Sequence, residues 1–236
     1  FFTGTGVGLQ DNARDVPIGR FVGVKRDTSP AADDTCNRHL PSTPITLCVF
    51  GDLDASPVVM LVGGFHTSQW EPAFSEIGRR YGFRLISVSM SACALGHVPW
   101  TAQRDDCMRW QSELMALLAR LRPAAVITTV TQSDPSGRAV DIEVVPEGVV
   151  DSLEAILALG IPVIGIRDTP WFRRDPSVCV WQNLARASRC ARFKNEVLLA
   201  ENPAQALLGR LSGLHLLDLT PLLCSEARCP AFFQGL

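Results

Sequence analysis

The chain has 236 residues, 47% of them hydrophobic, with 22 basic residues set against 24 acidic ones for a formal charge of -2. That length and apolar content suit one sizeable α/β domain with a full core, and a near balance of charge without basic clusters excludes the footprint that nucleic-acid backbones require. Apolar runs such as Leu157 to Ile164 fall far short of the roughly 20 residues that cross a bilayer.

From Phe1 to Leu47 the chain is rich in Gly, Pro, Asp and Thr without sustained periodicity, and it reads as an irregular lead-in packed on the domain that follows over residues 48–236. Phe1-Phe2 is not followed by a basic region and a long apolar stretch, so no signal peptide is read there. Gly4-Thr5-Gly6-Val7-Gly8 has neither a preceding strand nor a following Lys, which removes dinucleotide and P-loop readings. Alternation then begins. Val58 to Val62 predicts a strand, Thr67 to Tyr81 a helix, Phe83 to Ser89 a strand, and Thr101 to Leu121 a long helix with Trp110, Leu114, Leu117 and Leu118 on one face. Ala124 to Thr131 predicts a third strand, Gly148 to Leu159 a helix, Ile161 to Ile166 a strand, Asn195 to Leu211 a helix and Leu214 to Leu219 a fifth strand. Strands alternating with helices imply right-handed crossovers and a parallel sheet covered on both faces, with the ligand site outside the strands' carboxyl ends.

The cysteines fall at Cys36, Cys48, Cys93, Cys107, Cys179, Cys190, Cys224 and Cys229. An even count grouped in close neighbours suggests local disulfides in an oxidising compartment, although composition alone does not fix their pairing. Zinc is the weaker reading, because no Cys-x2-Cys knuckle occurs and only four histidines are available. No metal and no cofactor is expected.

The run Val62-Gly63-Gly64-Phe65-His66-Thr67-Ser68-Gln69-Trp70 takes a strand through a Gly-Gly turn into a helix. It resembles the first block of the SGNH hydrolases, in the form Gly-Asp-Ser-His-x-x-Gln-Trp of extracytoplasmic domains fused to acyltransferase-3 membrane proteins. Gly63, His66, Gln69 and Trp70 match, while Gly64 stands at the Asp position and Phe65 at the nucleophile position. Ser91-Ala92-Cys93 resembles the second block, where the family places an oxyanion-hole Ser, and Arg167-Asp168-Thr169-Pro170 resembles its Asp-x-Pro segment at the pocket rim. The resemblance implies an SGNH/flavodoxin-like three-layer sandwich of about five parallel strands. It also implies bridges between Cys36 and Cys48, Cys93 and Cys107, Cys179 and Cys190, and Cys224 and Cys229. The family's Asp-x-x-His would follow Cys229-Pro230, and the chain reads to Leu236 without it.

An SGNH enzyme needs a Ser nucleophile, a His base, an Asp to orient the His, and oxyanion donors. Phe65 carries no nucleophilic atom. Ser68 lies about 5 Å further along a helix and reads better as a helix-start residue. His66 stays in the pocket on one reading and bonds to backbone on another; Gln69 is pocket wall or packed helix face. Ser91 is an oxyanion-hole residue or a loop anchor beside Cys93. Thr131 and Gln132 end the third strand and could offer a polar group to the same mouth, with Asp168 at the rim. His215 and Asp218 lie three apart on a strand and so face opposite sides, which removes a hidden dyad. By what the family implies, the chain sits outside the cytoplasmic membrane beside an acyltransferase-3 membrane domain in the same polypeptide, with an envelope glycan or glycolipid as acceptor. Three functions remain open: a catalytically degenerate domain that binds or positions acceptor, an active O-acyltransferase or esterase with an unorthodox nucleophile, and a purely structural domain.

Overall fold

A computed structural model of the chain describes residues 36–39, 45–96, 104–133, 143–146, 148–172 and 175–231. The lead-in up to residue 35, including the glycine run, lies outside the described residues. The strands are β1 (Cys36–His39), β2 (Thr46–Gly51), β3 (Val58–Gly63), β4 (Arg84–Ser89), β5 (Ala125–Thr129), β6 (Gln132–Ser133), β7 (Glu143–Val144), β8 (Val163–Ile166), β9 (Arg192–Phe193), β10 (Leu214–Leu217) and β11 (Arg228–Cys229). The helices are α1 (Phe65–Ser68), α2 (Glu71–Tyr81), α3 (Arg104–Leu121), α4 (Val149–Ala158), α5 (Pro176–Gln182) and α6 (Thr220–Leu223).

Seven strands form one sheet in the order β1-β2-β4-β3-β5-β8-β10. The neighbours from β4 to β10 are all parallel, so five parallel strands make up its body. Counted in chain order these five lie 2-1-3-4-5, the flavodoxin-like arrangement, and the order reverses between β3 and β5. A crevice opens at the carboxyl ends of strands where the order reverses, so the topology places a site after Gly63 and Thr129.

Alternation along each central strand builds two cores. Met60, Val62, Val88, Val126 and Val163 face one side, against Trp110, Leu114, Leu117 and Leu118 of α3 and Leu153 and Ile156 of α4. Leu61, Leu85, Ile127 and Ile166 face the other, against Phe74 of α2 and Phe50 of β2. Leu114 and Leu118 are fully buried, and each such side chain contributes about 1.5–3 kcal/mol relative to exposure.

Three expectations need correction. The segment read as an irregular lead-in carries β1 and the start of β2, and β2 pairs antiparallel with β4, Cys48 opposite Ser87. The helix expected over residues 67–81 divides at Trp70, because Pro72 can occupy only the first turn of a new helix, α2. The helix expected over residues 195–211 becomes two 3-10 segments, Lys194–Glu196 and Pro203–Leu207. The residue before Pro is kept out of the α region, and Asn202 there instead accepts the Ala204 amide. Helix α5 was not expected; Asp175 starts it by accepting from the Ser177 and Val178 amides.

Bridges join Cys93 to Cys107, Cys179 to Cys190 and Cys224 to Cys229. Cys48 is also disulfide-bonded and its backbone register partner is Cys36, whose side chain lies outside the described residues. The Cys93 bridge fastens the loop after β4 to the start of α3. Replacing Cys93 and Cys107 together by Ser is expected to cost about 3 kcal/mol through loop entropy. In a chain of this size that lowers the melting temperature by roughly 6–12 °C, as calorimetry would record. Peptide mapping without reduction is expected to recover four intramolecular bridges with this pairing.

Candidate functional site

Strand β3 ends on Gly63, whose φ of 151° and the 2.3 Å separation between an added Cβ and Thr67 Oγ1 leave room for glycine alone. This lets α1 fold tightly over the strand end. Thr67 Oγ1 then reaches Thr129 Oγ1 at the end of β5, 2.8 Å away, closing the floor of the crevice. Gly64 is different: its backbone is extended, with φ -93° and ψ -162°, and an added Cβ would make ordinary contact 3.4 Å from the Cys93 carbonyl. Nothing in the backbone requires glycine at that position.

Phe65 opens α1 with 66% of its surface exposed, and its ring borders a cavity of about 340 Å³. Ser68 is buried, and its Oγ–H donates to the Phe65 carbonyl at 3.2 Å. Ser68 closes α1 rather than capping its start, since it donates to a carbonyl and accepts no backbone amide, and it lies away from the cavity lining. Gln69 is exposed and donates to the His66 carbonyl at 2.8 Å and to Thr169 Oγ1 at 3.4 Å. It therefore ties α1 to the loop after β8 without lining the cavity. Ser91 is exposed and also lies off the lining, whereas its neighbours Ala92 and Cys93 border it.

His66 and Asp168 meet across 102 residues of chain, His66 Nδ1 lying 2.8 Å from Asp168 Oδ1. The carboxylate is 2% exposed. It also accepts the Thr169 amide at 2.8 Å and the Trp171 indole N–H, on Oδ2, at 3.0 Å. The indole ring stacks on the imidazole, centroids 4.4 Å apart and planes inclined by 21°. The imidazole is thus held at one edge and one face. His66 makes a side-chain bond rather than the backbone bond of its structural reading, and Asp168 does more than shape a rim.

The preceding residue, Arg167, turns the other way. Its guanidinium donates to Glu143 from Nε at 3.0 Å and from Nη2 at 2.6 Å, to Asp218 Oδ2 at 3.1 Å and to the Leu199 carbonyl at 2.7 Å. Burial would discharge this guanidinium, but Glu143 and Asp218 outweigh it and raise its pKa. Asp218 is likewise opposed by burial, yet hydrogen bonds from Thr220 and Arg167 hold its carboxyl below the ordinary aspartate range. Thr131 links the two halves: it donates to Glu143 Oε1 at 2.9 Å and accepts the Asp168 amide at 2.9 Å. Its hydroxyl proton is therefore committed, although Thr131 and Gln132 both border the cavity.

Sequence reasoning did not single out Trp171 or Glu143. Trp171 stands three residues after Asp168, a spacing that becomes informative only when the chain direction after β8 is known.

A family model described as SGNH domain (fused to AT3 domains) matches residues 32–236. Among solved structures, the periplasmic domain of the Salmonella ser. Paratyphi A lipopolysaccharide acetyltransferase is similar in fold, at a TM-score of 0.53 and 12% identity over 73% of this chain and 70% of that one. No curated protein matches.

Breaking the buried pair by Glu143→Leu is expected to cost about 3–5 kcal/mol in urea unfolding, since Arg167 is left without its bidentate partner. Adding Arg167→Met is expected to return much of that loss. Because Asp218 has a lowered folded pKa, its contribution is present above the ordinary aspartate value of about 3.9 and fades as pH falls through the folded value. Melting temperature recorded against pH is accordingly expected to fall less steeply below about pH 4 in Asp218→Asn than in the wild type.

Proposed function

The chain belongs to the SGNH domains fused to acyltransferase-3 domains, and from that premise we propose that it binds and positions the acceptor for a cell-envelope O-acyltransferase without forming an acyl-enzyme itself. The observation that carries this reading is Phe65. It occupies the family's nucleophile position, exposed at the cavity and without an atom that can take an acyl group. Among the described residues no neighbouring hydroxyl is bonded to the His66 imidazole: Ser68 donates to a backbone carbonyl, Thr131 to Glu143, and Thr67 and Thr129 share one bond. The cavity nonetheless persists, with a clamped imidazole and a buried carboxylate beside it, which a purely structural domain would not need.

In this reading the domain lies outside the cytoplasmic membrane, in the same polypeptide as a membrane-spanning acyltransferase-3 module that delivers the acyl group. The disulfides favour an oxidising compartment, and the structural neighbour is named as a periplasmic domain. No helix among the described residues is long and apolar enough to cross a membrane. The acceptor is an envelope glycan or glycolipid carrying a free hydroxyl, as the neighbour's lipopolysaccharide substrate suggests.

Two outcomes are expected. The chain gains no acyl mass on incubation with an aryl acetate; a covalent acyl adduct abolished by Ser68→Ala would contradict the reading. Envelope glycan fragments are expected to bind in calorimetric titrations, with affinity falling about 10-fold in Trp171→Ala through loss of an aromatic contact.

A further inference from the structure

Held between Asp168 and Trp171, His66 has one ring nitrogen still to be accounted for. Trp171 Nε1 stands 3.0 Å from both His66 Nδ1 and Asp168 Oδ2. An indole N–H only donates, and a carboxylate only accepts. The arrangement that satisfies all three groups has Nδ1–H donating to Asp168 Oδ1 and the indole donating to Oδ2. Nδ1 then carries the proton and Nε2 carries the lone pair. Nε2 has no hydrogen-bond partner among the described residues, the side chain is 37% exposed, and His66 borders the cavity.

We propose that His66 Nε2 is the general base that takes the proton of the acceptor hydroxyl, and that acyl transfer at this cavity is direct, from an acyl thioester to the acceptor, with no acyl-enzyme between. This rests on the reading of the cavity as an acceptor site. In the step, the acceptor O–H proton passes to Nε2 while its oxygen forms a bond to the thioester carbonyl carbon. The carbon–sulfur bond breaks, and the departing thiolate takes the proton back from Nε2. An ester and a free thiol result, and the imidazole is restored. Asp168 steadies the imidazolium that exists in between, as a buried carboxylate does for a histidine base elsewhere. Asp168 and Trp171 are positioning residues.

The remaining lining supports the same division of labour. Ala92, Leu95, Pro146 and Val149 border the cavity as well, and an apolar wall suits an acyl group better than a sugar. Gly96 and Gly148 bring that wall together: a Cβ on Gly96 would lie 2.3 Å from the Gly148 carbonyl oxygen, and one on Gly148 equally close to that of Gly96. The loop after β4 and the start of α4 therefore touch through bare backbone beside the cavity.

The test uses the 236-residue chain and two readouts. Long-range nitrogen NMR on the wild type is expected to show the neutral His66 ring with Nδ1 protonated and Nε2 bare, and to lose that tautomer in Asp168→Asn. A protonated Nε2 in the neutral ring would overturn the proposal, and this arm requires no variant to fold. The second readout is acetyl transfer from a simple acetyl thioester to glycerol, present at high concentration so that specific acceptor recognition is not required. The wild type is expected to exceed His66→Gln about 100-fold, the lower bound for general-base catalysis. Equal rates in the two proteins would overturn it. Glycan binding retained alongside equal rates would defeat this inference alone; transfer dependent on His66 without glycan binding would defeat the acceptor-binding reading alone.

Discussion

The buried carboxylate of Asp168 is the point on which the site turns. Removing it from water is costly, and three donors offset that cost: the Thr169 amide, the Trp171 indole and the His66 imidazole. These come from the loop after β8 and from the helix after β3, strands separated in the sheet by β5. One residue earlier, Arg167 makes the mirror commitment, reaching Glu143, Asp218 and Leu199. Two consecutive charged residues at one strand end therefore secure both sides of the crevice, and Thr131 ties one to the other. Hydrogen bonds to charged groups contribute about 1.5–3 kcal/mol each, enough to hold loops that carry little regular structure.

Much of the sheet was legible because its signals are local. A continuous apolar run such as Val58 to Val62 and a β-branched one such as Ala125 to Thr129 mark strands buried on both faces, and the faces of α3 repeat at helical spacing. What escaped has local reasons too. Ile45 to Phe50 is as apolar as the strands that follow, but its Pro-rich approach drew Ile45 to Leu47 into the lead-in. The last crossover looked helical by its leucines until Asn202-Pro203 interrupted it. The site was legible only in part. Phe65, His66 and Asp168 stand out in the sequence through its resemblance to the family blocks, yet the bond between His66 and Asp168 spans 102 residues, and no periodicity foretells a contact fixed by strand order. Ser91 and Gln69 show the converse, since matching a family block did not bring either to the cavity lining.

Phe65 separates this chain's chemistry from its fold. Gly63 and Thr67 make a tight turn at the end of β3, and on the proposed reading that turn presents Phe65 where a nucleophile would stand. Gly64 adds a second departure that the backbone does not require. On the proposed reading, a nucleophile position filled by Phe65 and a clamped histidine are compatible if the acyl group never rests on the domain. The acceptor hydroxyl would then need only a place to sit, a base to face and an apolar wall for the incoming acyl group.

A double-mutant cycle on His66 and Asp168, read by urea unfolding of the single and double alanine variants, tests most directly whether this carboxylate assembles the site. An interaction energy of about 1–3 kcal/mol is expected, as for groups sharing one buried network. Losses that simply add would mean that the two residues stand side by side without holding each other, and would contradict the assembly described above.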